Sequence, residues 1–151
     1  MKLLALVALA LLPLTYACGG GCPVDGIAGN YAGQDLTGCS LSEINLVSPN
    51  FSGANLTGVN VAQADIESGD FSEANLTMAN FGSADLRSAN FANANLSNAD
   101  FREADLFSPN FANANLTGSQ WGSADLQSPN CAGATGVDFS DATVNGGNGC
   151  D

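Results

Sequence analysis

Residues 91–110 read FANANLSNADFREADLFSPN, and an apolar side chain returns there at every fifth position. The same rhythm runs from Asn45 to Cys131, where all eighteen central positions are apolar. The residue before each centre is Asn or Asp, with the single exception of Gln120, and Ala stands two residues before eleven of the centres. The repeated unit is therefore Ala-(Asn/Asp)-(Leu/Phe)-x-x.

A five-residue period fits neither of the common secondary structures. On an α-helix, five residues carry the side chain about 140° beyond a full turn, so the apolar centres would spread around the helix. On a flat strand, side chains alternate between the two faces, so an odd step would place successive centres on opposite sides. The chain must therefore turn once in each unit, with the centre and the preceding Ala pointing inward. Asn and Asp suit such corners because their side chains hydrogen-bond to local backbone.

A longer rhythm of twenty residues is superimposed on the five-residue unit. Four aspartates recur at this spacing, and four asparagines recur in the opposite Leu units: Asp65, Asp85, Asp105 and Asp125; Asn55, Asn75, Asn95 and Asn115. Twenty residues with a corner in every five make a four-sided coil, and successive coils stack at about 4.8 Å, the spacing of neighbouring strands. We therefore expect two opposed aromatic columns inside the coil: Phe51, Phe71, Phe91 and Phe111; Phe81, Phe101 and Trp121.

These units resemble those of the pentapeptide repeat family, as Ala94-Asn95-Leu96-Ser97-Asn98 and Ala104-Asp105-Leu106 illustrate. The resemblance implies an all-β fold, a right-handed quadrilateral β-helix. Residues 34–133 comprise 100 positions, which predicts about five coils. The Gly-rich residues 18–33 are predicted to form a tether and an N-terminal cap. Residues 134–151 are predicted to form a C-terminal cap, because the five-residue register slips there.

The start of the chain predicts export. Residues 3–14 are apolar apart from one Pro, and this run has the length of a signal-peptide core rather than of a membrane span. The following residues 14–18, LTYAC, resemble a bacterial lipobox. Residues 1–17 are therefore predicted to be a signal peptide and Cys18 the lipidation site of a bacterial cell-envelope lipoprotein. Gly19 favours the outer membrane, because some bacteria retain lipoproteins at the inner membrane through an Asp there. The alternative is cleavage after Ala17 without lipidation.

The cysteine count supports the lipoprotein interpretation. Five cysteines are an odd number for an oxidising compartment, whereas lipidation of Cys18 leaves four that can pair completely. Three connectivities are open to these four. Pairing Cys22 with Cys39 and Cys131 with Cys150 would brace the two ends, where a solenoid exposes apolar core and backbone edges. A metal site is the rival use, but the chain has no His and no Cys-x-x-Cys pair.

The chain is strongly acidic. Without residues 1–17, fifteen acidic side chains stand against only Arg87 and Arg102, so the side-chain charge is −13. A charge of this sign excludes nucleic-acid binding through phosphates. It favours basic proteins, cations or cationic surfaces as partners.

The best candidate site is the column of Asp65, Asp85, Asp105 and Asp125. Carboxylates stacked about 4.8 Å apart repel each other by up to about 1 kcal/mol per neighbouring pair in water, so the column requires compensation. Arg87 could supply part of it, and weakly bound Ca²⁺ could supply the rest through carboxylate oxygens. The alternative is inheritance, because duplication of one twenty-residue block would copy its Asp.

The sequence carries no recognisable catalytic motif. It has no His to act as a base, no Gly-x-Ser-x-Gly elbow and no Gly-Lys phosphate loop, so we expect neither enzymatic activity nor a resident cofactor. The leading interpretation is a lipid-anchored structural or protein-interaction module of the cell envelope. The resemblance implies one alternative, since some acidic pentapeptide repeat proteins imitate DNA and bind topoisomerases. A cation-binding solenoid that uses the Asp column is the other.

Overall fold

The computed structural model describes Cys22 and residues 29–150, and within these residues the only regular elements are β-strands and single β-bridges. Strand β1 is Asp105–Phe107, β2 is Asp125–Gln127 and β3 is Thr143–Asn145. They form one parallel sheet in the order β1-β2-β3. The predicted all-β fold is confirmed. The described residues contain no helix that could cross a membrane.

Outside this short sheet, single parallel β-bridges pair each circuit of the chain with the next. One bridge occurs in every five residues, and almost every bridge joins a residue to the one twenty positions later. Four bridges therefore complete one circuit, so the coil has four sides, as the twenty-residue rhythm predicts. Each bridge includes paired backbone hydrogen bonds, for example from the N–H of Phe91 to the C=O of Asn110 at 2.7 Å and from the N–H of Asn110 to the C=O of Ala89 at 3.0 Å.

Most corners share one backbone conformation. In the unit centred on Phe91, the N–H of Ala94 donates to the C=O of Phe91 at 3.0 Å, and Asn93 lies in the left-handed region with φ of 60°. Fifteen residues other than glycine have positive φ, all at this position of the unit. The side chain of the Asn before the centre also stabilises the corner, because Oδ1 of Asn90 accepts a hydrogen bond from the N–H of Ala92 at 3.2 Å. This contact is the local role expected for Asn and Asp.

The core contains the two predicted aromatic columns. Phe91 stacks on Phe71 and Phe111 with ring centroids 5.0 and 5.2 Å apart. It also meets Phe81 and Phe101 of the opposite column edge to face, at 5.7 and 5.8 Å. Offset stacking along each column and edge contacts between columns are both favourable for aromatic quadrupoles. These rings are fully buried, and Leu and Ala side chains fill the space between them.

The solenoid begins earlier than residue 34. Asn30 bridges Asn50, and Tyr31 is only 4% exposed and stacks on Phe51 at 5.1 Å. The predicted boundary is therefore corrected to include Tyr31 as the first core residue. This unit was missed because Gly29 replaces the usual Ala. A Cβ on Gly29 would lie 2.0 Å from Cζ of Tyr31, so the ring could not keep this position above any other residue.

The last circuit is two residues shorter than the others. Leu126 pairs with Val144 and Asn130 bridges Asn148, both eighteen positions later. Phe139 covers the end of the aromatic core, with its ring centroid 4.8 Å from that of Trp121 in an edge contact. Residues after 133 thus form a shortened turn, which explains the register slip in the sequence.

Disulfides lie at both ends of the solenoid. Cys22 is bonded to Cys39 in the first circuit, and Cys131 is bonded to Cys150 in the last. Of the three connectivities that the sequence leaves open, the structure has the one that braces the two ends. The predicted signal peptide, residues 1–17, and the predicted lipidation site, Cys18, lie outside the described residues.

Candidate functional site

The four long sides of the solenoid differ in the polar residue that precedes each core centre. On two sides this residue is mostly Asn and on a third it is mixed, but on the fourth it is Asp in four successive circuits. We call this fourth side the acidic face and define it by Asp65, Asp85, Asp105 and Asp125. Parallel bridges join each of these residues to the next, so the structure places all four in one column.

The column has partners mainly at its first two members. Asn45 donates from Nδ2 to Oδ2 of Asp65 at 3.2 Å. Arg87 donates from Nε to both carboxylate oxygens of Asp85, at 2.8 and 2.9 Å, and its terminal nitrogen lies 3.1 Å from Glu67. Hydrogen bonding from Arg87 lowers the pKa of Asp85, so that carboxylate stays ionised in moderately acidic solution.

Asp105 is compensated only at a distance, by the positive charge of Arg87. The Asp105 side chain forms no hydrogen bond or ion pair with any described residue. Partial burial raises the pKa of Asp105, and the negative charge of Asp85 raises it further. In the next circuit, Asp125 accepts one long hydrogen bond of 3.3 Å from Nε2 of Gln127. Within the described part of the chain, Asp105 and Asp125 therefore carry negative charge that no ion pair neutralises.

A neighbouring side shows how the same position is satisfied when the residue is Asn. Nδ2 of Asn130 donates to Oδ1 of Asn110 at 2.9 Å, and Asn110 donates in the same way to Asn90 at 2.9 Å. Each amide thus bonds to the amide in the preceding circuit. A carboxylate has no proton to donate, so stacked aspartates lose these bonds and gain repulsion instead.

Two exposed apolar residues flank the aspartates. Val47 and Phe107 stand one position after the core centres of this side and are 70% and 49% exposed. Most units have a small or polar residue at this position. Sequence reasoning missed both residues, although this departure from the repeat was visible. The acidic face therefore combines carboxylates with exposed apolar surface.

The described residues contain no cluster of three or more His, Cys, Asp or Glu side chains that could hold a metal ion. The reason is geometric. The aspartates stand in single file, so an ion beside the column would meet two neighbouring carboxylates rather than an enclosing set, whereas Ca²⁺ prefers six to eight oxygen ligands. A shallow, open depression near the N-terminal end of the face is lined by Asn45, Val47, Asp65 and Glu67.

A second ion pair lies on the adjacent side. Arg102 donates from Nε to both carboxylate oxygens of Asp100, at 2.9 and 3.1 Å. This hydrogen bonding lowers the pKa of Asp100. Since Arg87 is bound to Asp85 and Glu67, both arginines of the chain are occupied by acidic partners. Neither one forms an ion pair with Asp105 or Asp125.

Comparison with solved structures finds proteins that are similar to this chain. The pentapeptide repeat protein Rfr23 from the cyanobacterium Cyanothece 51142 is 20% identical over 76% of this chain and 86% of its own, with a TM-score of 0.53. QnrB1, a plasmid-mediated fluoroquinolone resistance protein, is 21% identical over 78% of each chain, with a TM-score of 0.42. A pentapeptide repeat protein from the Arabidopsis thaliana thylakoid lumen is 26% identical over 82% of this chain and 75% of its own, with a TM-score of 0.28. No curated protein matches the chain.

The family pattern described as Pentapeptide repeats matches the sequence in eight copies, over residues 32–63 and 70–106. The matched residues include the apolar centres and the corner residues described above. Proteins with these repeats form right-handed quadrilateral β-helices, in agreement with the four-sided coil seen here. Over these residues the chain carries the repeats of the pentapeptide repeat family.

Proposed function

We propose that this chain is a non-enzymatic interaction module of about five coils, exported to the bacterial cell envelope and held at the outer membrane by a lipid on Cys18. Its acidic face binds a basic surface of a partner protein. The observation that carries this proposal is the charge at Asp105 and Asp125, which form no ion pair, beside the exposed Phe107. The lipobox-like residues and the even number of remaining cysteines support the location.

The chemistry of the face suggests the kind of partner. Carboxylates spaced at about 4.8 Å match Lys and Arg side chains that project from a partner strand or helix. An apolar group beside them can bury the aliphatic part of a long basic side chain. Binding would relieve the repulsion within the column, so the free energy lost in stacking carboxylates would be recovered in the complex.

A binding experiment with matched variants tests the face. The mature protein is titrated with a lysine-rich peptide at low salt, and affinity is compared for wild type, Asp105→Asn plus Asp125→Asn, and Asp70→Asn plus Glu73→Gln. The control variant removes the same number of charges from another side. We expect the first variant to lose most of the affinity and the control to keep it. Equal losses would show that net charge alone is responsible and would remove the proposed site.

Membrane attachment is tested separately in the native host. Wild type should fractionate with membranes, and Cys18→Ser should release the protein into the soluble fraction. A soluble wild type would exclude the anchor. Intact mass spectrometry of the native protein would report cleavage, lipid and disulfides together.

The strong negative charge favours a second candidate, a DNA mimic that binds a topoisomerase. QnrB1, which has the same type of repeat, is a fluoroquinolone resistance protein. The predicted signal peptide argues against this function, because an exported protein would not meet a topoisomerase in the cytoplasm. A gyrase supercoiling assay with the mature protein distinguishes the two, since the envelope proposal predicts no effect at micromolar concentrations.

A further inference from the structure

The C-terminal turn contains the only two Asn-Gly dipeptides of the chain, Asn145-Gly146 and Asn148-Gly149. An Asn side chain is converted to an acid when the backbone nitrogen of the next residue attacks its amide carbon. Glycine assists because it places no side chain in the way and leaves the backbone free to rotate. Both asparagines and both glycines are exposed.

The solenoid restrains the attacking nitrogen wherever another circuit follows. After Asn110, the N–H of Phe111 donates to Asn130 at 2.7 Å, and after Asn130 the N–H of Cys131 donates to Asn148 at 2.7 Å. The circuit that contains Asn145 and Asn148 is not paired with a later one among the described residues. Gly146 and Gly149 accordingly make no N–H hydrogen bond with any described residue.

We propose that Asn145 is a site of spontaneous deamidation, with Asn148 a slower second site. The side chain of Asn145 has no hydrogen-bond partner among the described residues, whereas Nδ2 of Asn148 donates to Asn130 at 3.5 Å. A bond forms from the nitrogen of Gly146 to Cγ of Asn145, the Cγ–Nδ2 bond breaks, and ammonia leaves with the proton lost by the nitrogen. One water molecule then opens the resulting cyclic imide to Asp or to isoaspartate.

Conversion would change the last turn in two ways. Each event adds a negative charge to a protein that is already strongly acidic. Isoaspartate also lengthens the main chain by one methylene directly after β3. Asn145 is the last residue of β3, and its C=O accepts the N–H of Ser128 at 2.7 Å. The added methylene moves the chain that continues to Cys150, so we expect a weaker cap.

Peptide mapping by mass spectrometry tests the site. The folded, disulfide-bonded protein is held at mildly alkaline pH, and the amide-to-acid mass change is followed at Asn145, Asn148 and Asn115. We expect Asn145 to convert at least about ten times faster than Asn115, a difference set by the attack barrier. Asn145→Gln should abolish conversion at that position and leave Asn148 unchanged. Failure of Asn145 to convert, or equal rates at Asn145 and Asn115, would overturn the proposal.

The effect on the cap has its own measurement. After equal incubation, aged wild type should unfold at a lower temperature than fresh protein, and Asn145→Gln plus Asn148→Gln should keep its original midpoint. If wild type converts but its midpoint does not fall, the structural consequence is wrong.

Discussion

Asp105→Asn should stabilise this protein, although the substitution removes a charged residue from its surface. Asp105 lies between Asp85 and Asp125 in the column, at a rung spacing of about 4.8 Å. Two like charges at that distance repel by up to about 1 kcal/mol in water, and Asp105 has two such neighbours. Arg87 offsets part of the repulsion on one side.

The new amide would add a favourable contact. Asparagines in other columns donate Nδ2 to the preceding circuit at about 3 Å, as Asn110 does to Asn90 at 2.9 Å. An amide at position 105 can donate to Asp85 in the same way, which contributes about 0.5–1.5 kcal/mol. This contact adds to the relief of repulsion between the exposed, solvent-screened carboxylates. We therefore expect the free energy of unfolding to rise by about 2 kcal/mol at low salt.

Urea unfolding at neutral pH measures this gain. Trp121 is the only tryptophan and is 2% exposed, so its fluorescence reports opening of the coil. Asp70→Asn is the matched control, because Asp70 is bridged to Asn50 and Asn90 rather than to carboxylates. Asp70→Asn should change the free energy of unfolding by less than about 0.5 kcal/mol. The advantage of Asp105→Asn should shrink between about 0.01 and 1 M salt as the Debye length falls from about 30 to 3 Å.

Two outcomes would refute this reasoning. If Asp105→Asn gains no more than Asp70→Asn at low salt, the column is not a repulsive stack. If the variant is less stable than wild type in calcium but more stable with chelator, the aspartates bind the cation and the calcium hypothesis replaces the partner hypothesis. Calorimetric titration of calcium into wild type and into Asp85→Asn plus Asp105→Asn would then show heat only for wild type.

Three further predictions concern the core, the corners and the acid response. Phe91→Ala should lower the free energy of unfolding by about 3–5 kcal/mol in urea, because the ring is fully buried, whereas exposed Phe107→Ala should change it by less than about 0.5 kcal/mol. Met78→Gly should raise the thermal midpoint and Met78→Ala should not, because Met78 has φ of 58° and is 61% exposed, and only glycine relieves a left-handed backbone. The pKa of Asp105 is raised in the folded state. Ionisation of this carboxyl therefore lowers the free energy of unfolding as the pH rises through its ordinary pKa. The stability advantage of Asp105→Asn should therefore grow as pH rises from about 3 to 7 and vanish in acid, which urea unfolding across that range would measure.

Much of the fold could be predicted because each repeat constrains the next. The two periods place Phe91 between Phe71 and Phe111, and they place Asp85 beside Asp105, with no long-range information needed. A role for Arg87 in compensating the Asp column was also expected, and stacking places its side chain beside Glu67, twenty positions earlier.

The remaining features depend on exceptions to the repeat. Tyr31 was missed as a core residue because Gly29 breaks the Ala pattern, although the ring packs over that glycine. The exposure of Phe107 was missed because an aromatic residue in a repeat suggests core. Left-handed conformations at Met78 and similar residues cannot be read from residue type, since glycine is the usual choice; stacking of the coils imposes them.

The two-residue deficit of the last circuit has a consequence for polymerisation. A parallel β-solenoid is a template at each end, and a second molecule with twenty-residue coils could in principle continue the ladder without limit. The first coil of such a molecule would be two residues longer than the circuit it met, and the side between Thr135 and Thr143, where no bridge forms even within this chain, would offer it no pairing. The shortened turn therefore presents a template with one side missing, which disfavours head-to-tail growth on this circuit.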